Sequence, residues 1–93
     1  MSDKYLLKLY ITGYTPRSQR AISNLIQLCE SHLRNKHEIL IIDVLELPQI
    51  AEAEKILVTP TLIKEFPLPK VRIIGDLSNT HTVLLGLNIP YNQ

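Results

Sequence analysis

Tyr5-Leu6-Leu7-Lys8-Leu9-Tyr10-Ile11 is apolar except for one lysine and stops at Thr12-Gly13. Seven residues are too few for a comfortable helix, and a near-continuous apolar run is what a strand buried on both faces shows, so this segment is read as a first strand. Just beyond it, Thr15-Pro16 supplies a capping side chain and a proline suited to the first helical position. Ile22, Leu25, Ile26, Cys29 and Leu33 then recur at helical spacing, which predicts a long amphipathic helix from about Pro16 to Asn35. After the polar run Asn35-Lys36-His37-Glu38, the residues from Ile39 to Val44 are aliphatic but for Asp43 and read as a second interior strand. Strand, helix and strand make a βαβ unit, whose right-handed crossover favours parallel pairing.

Further along, Pro48 to Leu57 sets Ile50 and Ala53, with Ile56 or Leu57, on one side and Glu52, Glu54 and Lys55 elsewhere, so a short second helix is expected before Thr59-Pro60. Thr61 to Phe66 and Val71 to Ile74 read as short strands joined by the proline-rich hairpin connection Pro67-Leu68-Pro69-Lys70. Gly75-Asp76 turns the chain again. From Leu77 to Leu87 the local preference is divided: Leu77, Val83, Leu84 and Leu87 have partly helical spacing, yet Thr80, Thr82 and Val83 are β-branched and Gly86 weakens a helix end. In order, β-α-β-α-β-β-α is the α/β plan of a thioredoxin-like fold, carried by a single domain over residues 1–93. Val58-Thr59-Pro60-Thr61-Leu62 resembles the segment where that fold places a proline, usually cis, before its third strand.

The residue inventory narrows the chemistry. An apolar share of 45% and a charged share of 20% are those of a folding chain rather than a disordered one. Ten Lys and Arg against nine Asp and Glu leave a formal charge of +1, so there is no global field to draw nucleic acid or an anionic membrane, and neither is expected as a partner. The basic run Arg34-Asn35-Lys36-His37 reads as a solvated helix end. No signal-peptide pattern follows Met1-Ser2-Asp3-Lys4 and no uncharged apolar run approaches 18 residues, so a cytoplasmic location is expected. Disulfide exchange needs two thiols of lowered pKa at a helix N-terminus, and Gly13-Tyr14-Thr15-Pro16-Arg17-Ser18 has none. The single cysteine, Cys29, lies in register with the helix's apolar residues and reads as a core thiol. His32, His37 and His81 lack metal-ligand spacing, and the three glycines are too far apart for a phosphate loop. No cofactor is expected.

Specific strings go further than the plan. Tyr5 to Gly13, Thr15-Pro16-x-Ser18-x-Arg20-Ala21, Ile42-Asp43-Val44-Leu45, Pro48-Gln49, Ala51-Glu52, Lys55-Ile56-Leu57-x-Thr59-Pro60-Thr61-Leu62 and Arg72-Ile73-Ile74-Gly75-Asp76-Leu77-Ser78 resemble the KaiB family of circadian-clock proteins, over roughly Tyr5 to Asn88. The resemblance implies a non-enzymatic regulator that binds the N-terminal ring of a phosphorylated KaiC-type ATPase and promotes its dephosphorylation, in circadian timing or stress adaptation. KaiA and an output histidine kinase are the further partners it implies, with a homo-oligomer, dimer or tetramer, as resting state. It also implies two folds for one chain, common through about Leu47 and differing beyond it, with Pro60, Gly86 and Asn88 in the switching region. Arg20, Lys55, Lys64 and Arg72 match or neighbour basic positions on the partner-facing surface. Two departures stand out: Asn88 replaces an acidic residue, and Leu40 occupies a position where a lysine is common. Two other readings stay open, a thiol-dependent redox protein using Cys29 and a stand-alone sensor or dimerisation domain related to kinase-fused KaiB domains.

Overall fold

The computed structural model describes residues 4–89. Its elements are β1 (Tyr5–Ile11), α1 (Pro16–His32), β2 (His37–Asp43), α2 (Pro48–Ala53), β3 (Thr61–Phe66), β4 (Val71–Ile74) and α3 (Thr80–Gly86). The four strands form one sheet in the order β2-β1-β3-β4. β1 runs parallel to β2 and antiparallel to β3, and β3 and β4 form the expected hairpin. The expected thioredoxin-like order is therefore the observed one.

β1 lies inside the sheet, and its alternation divides the molecule. Leu7, Leu9 and Ile11 point into the main core, where they meet Ala21, Leu25, Leu28 and Cys29 of α1, Leu62 of β3, and Val83 and Leu84 of α3. Tyr10 points to the opposite face, beside Ile42 and Ile63, with Val44 and Ile56 half covering them. Each fully buried Leu or Ile contributes about 1.5–3 kcal/mol of apolar transfer, so the α1/α3 face carries most of the stability.

α1 starts as the sequence indicates. Thr15 Oγ1 accepts the Ser18 amide at 3.1 Å, with Pro16 in the first turn. It stops at His32, short of the expected Asn35, because the Leu33 amide closes the last turn on the Cys29 carbonyl and Asn35 takes a left-handed φ of 59°. Its buried side is formed by Ala21, Leu25, Leu28 and Cys29; Ile26, expected in that row, is 45% exposed.

Two expectations need correcting. β2 is an edge strand and not an interior one, since β3 takes the other side of β1; an aliphatic run reads the same in both positions. α2 is shorter than Pro48 to Leu57 and buries none of its side chains. It closes when Lys55 adopts φ 55° and the Ile56 amide reaches back to the Ala51 carbonyl at 2.9 Å, the backbone pattern of a left-handed helix stop.

The divided segment from Leu77 to Leu87 becomes a helix only from Thr80, where Asn79 Oδ1 accepts the Thr82 amide at 3.1 Å. Asn88 has φ 58°, and the Ile89 amide bonds back to the Leu84 carbonyl at 3.0 Å, so Asn88 is the left-handed residue that stops α3. Asparagine is among the few side chains that accept this conformation readily. The Thr59-Pro60 peptide bond is cis, as are Phe66-Pro67 and Leu68-Pro69.

Gly86 sits within α3, and an added Cβ would lie 3.0 Å from Ile73 Cδ1. That methyl is the free end of a half-buried side chain and can swing aside. Gly86→Ala is therefore expected to stabilise this fold by about 0.5–1 kcal/mol through the lower backbone entropy of the unfolded chain. Urea unfolding measures it, and a lower midpoint would show that the Ile73 contact outweighs the entropy.

Candidate partner-binding surface

The β1–α1 loop, where a redox member of this fold would keep its thiols, holds Gly13 to Ser18. Thr12 Oγ1 and Thr59 Oγ1 share a hydrogen bond of 2.7 Å, which ties this loop to the segment before Pro60. The Gly13 amide donates to Asp43 Oδ1 at 3.1 Å, and the Leu45 amide donates to the same oxygen at 3.0 Å. Asp43, the one charge in the second apolar run, is thus a loop fastener.

Cys29 is fully buried. Burial, and then the neighbouring Glu30 charge, pushes its thiol from 9.0 up to about 12. At neutral pH it carries no thiolate to attack a disulfide, and a partner sulfur has no path to it. His37 Nδ1 lies 2.8 Å from the Leu33 carbonyl at the end of α1. Among the described residues no three His, Cys, Asp or Glu side chains converge as metal ligands would.

The four basic residues singled out from sequence fall in three places. Arg20, on the solvent side of α1, pairs with Asp76 at 3.5 Å. The Asn24 amide donates to the Asp76 carbonyl at 2.8 Å, so α1 grips the turn between β4 and α3 twice. The Asp76 carboxyl lies below its usual range, chiefly through the Ser78 side chain, with the Ser78 amide and Arg20 adding to it.

Lys55 and Arg72 are brought together at the end of α2. Arg72 Nη2 donates to the Glu54 carbonyl at 2.6 Å and Nη1 to the Lys55 carbonyl at 3.0 Å. A guanidinium here satisfies helix-end carbonyls that would otherwise lack partners. Arg72 therefore has a structural task, whatever else it meets. Next to it, Lys70 pairs with Glu54 at 3.1 Å and Glu65 at 3.8 Å, and Lys8 approaches Glu65 at 3.9 Å.

Lys64 departs from expectation: it is 1% exposed and does not stand on an open surface. On β3 it is paired with Leu7 and Val71, which turns it toward the main core, with Nζ 5.8 Å from the Tyr5 ring centroid. Burial lowers its pKa. A lysine whose folded-state pKa lies below its unfolded value costs most stability below that lowered pKa, and the cost fades as pH rises toward the unfolded value near 10.4. Lys64→Met is therefore expected to raise unfolding free energy at neutral pH, by roughly 1 kcal/mol, and by less in alkaline buffer. A destabilised Lys64→Met at pH 7 would mean that the ammonium–ring contact outweighs its desolvation.

What sequence reasoning missed is apolar exposure. Leu45, Leu47, Ile50, Leu57 and Val58 are all at least 40% exposed, Leu57 reaching 90%, and all lie between the end of β2 and the start of β3. Contiguous exposed apolar residues of this kind mark contact surfaces. The available signal was an α2 segment with apolar residues on more than one side. A second exposed apolar feature is an open groove of about 440 Å³ along α1, lined by Tyr14, Gln19, Ile22, Ser23, Ile26 and Gln27.

Comparison with known proteins gives this surface its context. Residues 8–89 match the KaiB domain. The chain is 58% identical over 87 residues to circadian clock protein KaiB3 of Synechocystis sp., covering 94% of this chain and 85% of that relative. The chain belongs to the KaiB family. It is also 51% identical over 89 residues to the circadian clock oscillator protein KaiB of Prochlorococcus marinus, covering 96% of this chain and 75% of that one. Among solved structures, the N-terminal domain of Synechococcus elongatus SasA superposes with a TM-score of 0.78 at 22% identity, over 100% of this chain and 91% of that one. The Drosophila melanogaster thioredoxin Deadhead superposes at 0.72 with 17% identity, over 92% and 80%. Both structural likenesses establish the fold. The KaiB-family relatives are named clock proteins, which supports a clock-regulatory role for this chain, and no catalytic family is indicated. No helix among the described residues is long and apolar enough to cross a membrane.

Proposed function

We propose that this KaiB-family chain is a non-enzymatic regulatory protein of the cytoplasm that binds a KaiC-type ATPase and shifts its phosphorylation state, in circadian timing or stress adaptation. The observation that carries the reading is the 58% identity to a clock KaiB3 over nearly the whole chain. Two features support it. The loop where thioredoxins would act, Gly13 to Ser18, carries no thiol, and the single cysteine, Cys29, is buried further along α1 and non-nucleophilic. The segment between β2 and β3 offers exposed apolar side chains next to the cations Lys55 and Arg72, a combination suited to a protein surface with acidic rims. Arg20 and Lys55 are the proposed direct contacts, and Arg72 acts by holding α2 in place. A sensor kinase whose N-terminal domain shares the fold would compete for the same ATPase surface, and KaiA would join the assembly through the bound regulator. Pro60, Gly86 and Asn88 are proposed to set the balance with a second fold of the C-terminal half, Asn88 through its left-handed stop after α3.

Gel filtration with the cognate KaiC-type ATPase, unphosphorylated and phosphomimetic, tests the reading. Co-elution at micromolar concentration, weakened about tenfold by Arg20→Ala with Lys55→Ala, together with faster loss of ATPase phosphorylation, is the expected result. Absence of association with either form up to hundreds of micromolar would overturn it.

A further inference from the structure

Three connections of the chain meet at one end of the sheet. β1 and β2 run parallel and finish side by side, Ile11 opposite Asp43, and the antiparallel β3 begins there, with Thr61 opposite Tyr10. The β1–α1, β2–α2 and α2–β3 connections are therefore neighbours. The last two carry Leu45, Leu57 and Val58 of the proposed surface, all exposed. An exposed apolar side chain gains no fixed place from a core, so the loops that bear these three must be held by other means.

Two polar fasteners hold them. The half-buried Asp43 accepts the Leu45 amide on Oδ1 at 3.0 Å, an Asx turn that bends the chain out of β2. The same oxygen accepts the Gly13 amide at 3.1 Å, from the neighbouring connection. Gly13 has φ 70°, which glycine adopts without strain, and a Cβ there would lie 3.7 Å from Leu45 Cδ1, so the two loops touch as well as bond. One residue earlier, Thr12 Oγ1 and Thr59 Oγ1 share their 2.7 Å bond, and Thr61 Oγ1 donates to the Val58 carbonyl at 2.6 Å. The third connection is thus held from β1 and from β3 at once.

We infer that Asp43 is a positioning residue of the partner-binding surface: with the Thr12–Thr59 pair it joins the three connections into one preformed platform that carries Leu45, Leu57 and Val58. The inference rests on the proposed function and adds to it what keeps the surface ready. Loops that must be ordered at the moment of binding lose affinity to that ordering, and loops already fixed do not. Asp43 need not touch the partner. Its task is to offer one oxygen to two amides, and the side-chain oxygen of asparagine, with two lone pairs, can do the same, though more weakly than a carboxylate. Positioning and a direct charge contact therefore predict opposite results for Asp43→Asn, which keeps the acceptor and removes the charge.

Wild type, Asp43→Ala, Asp43→Asn and Thr59→Val are compared at a temperature where urea unfolding shows each to be folded. In hydrogen exchange on the free chain, the Gly13 and Leu45 amides should lose protection together in Asp43→Ala and keep most of it in Asp43→Asn. Titration of the phosphomimetic KaiC-type ATPase should show Asp43→Ala bound at least about tenfold more weakly than wild type and Asp43→Asn within about threefold of it. Thr59→Val, which removes an exposed hydroxyl pair, should bind about threefold more weakly at an unchanged unfolding midpoint. Equal affinity of wild type and Asp43→Ala, or an Asp43→Asn as weak as Asp43→Ala, would overturn the inference and leave the proposed function standing. If Asp43→Ala does not fold, Thr59→Val decides, and an affinity equal to that of wild type would overturn it. A wild type that does not bind removes the proposed function and the inference with it, a result seen before any variant is compared.

Discussion

Leu84→Ala is expected to lower the unfolding free energy by about 3 kcal/mol. Leu84 is 1% exposed and, with Val83 and Leu87, anchors α3 against Leu7, Leu9 and the α1 face. Removing its branched end takes away transfer energy and leaves a void that the surrounding β1 and α1 side chains fill only in part. Leu85→Ala is the matched control: that side chain is 66% exposed, and its loss should change stability by no more than about 0.5 kcal/mol. Urea unfolding of the two variants gives the comparison directly. If Leu84→Ala and Leu85→Ala cost the same, α3 does not dock on this core in solution, and the C-terminal half of the chain spends its time in another arrangement.

The second large effect is alkaline. Cys29 has a folded pKa of about 12 against 9.0 ordinarily, so between those values the unfolded chain has lost a proton that the folded chain keeps. The sign follows: the contribution is fully present below pH 9.0 and is lost as pH rises toward about 12, with a slope approaching 1.4 kcal/mol per pH unit and a total of roughly 4 kcal/mol. Other groups titrate in the same range, and comparison with Cys29→Ala removes them. That variant should be less stable than wild type at pH 7, by roughly 1–2 kcal/mol for the cavity, and the gap should close and then reverse as pH rises. A gap that stays constant from pH 7 to pH 11 would show that the thiol titrates freely in the folded chain.

Much of the architecture could be read from particular residues. Thr15-Pro16 marked the start of α1, the Pro67-Leu68-Pro69-Lys70 connection marked the hairpin, and Thr61–Phe66 and Val71–Ile74 have the expected limits. These features are local, and local chemistry fixes them. Others depend on neighbours that no single segment specifies. β2 looks interior because Ile39, Ile41 and Ile42 are aliphatic, yet its edge position depends on which side of β1 the distant β3 takes. Lys64 looks like a surface cation, but its place in register with Leu7 and Val71 turns it inward. At the candidate site, the family strings indicated Arg20, Lys55 and Arg72, and only the tertiary structure revealed that Arg72 binds the carbonyls ending α2. The exposed leucines between β2 and β3 were hidden by the assumption that apolar residues on a short helix find a core.

That α2 buries no side chain and is tied at its end by Arg72 and Lys70 has a dynamic consequence. A helix of six residues has almost no stability of its own, so its persistence is borrowed from β4. Its amides should exchange with solvent deuterium among the earliest of any helix in the chain, at a free-energy cost well below that of global unfolding. The exchange rate of α2 thus becomes a remote gauge of the hairpin: anything that disturbs Val71–Ile74 will appear first as lost protection at Pro48–Ala53, on the far side of the contacts made by Arg72 and Lys70.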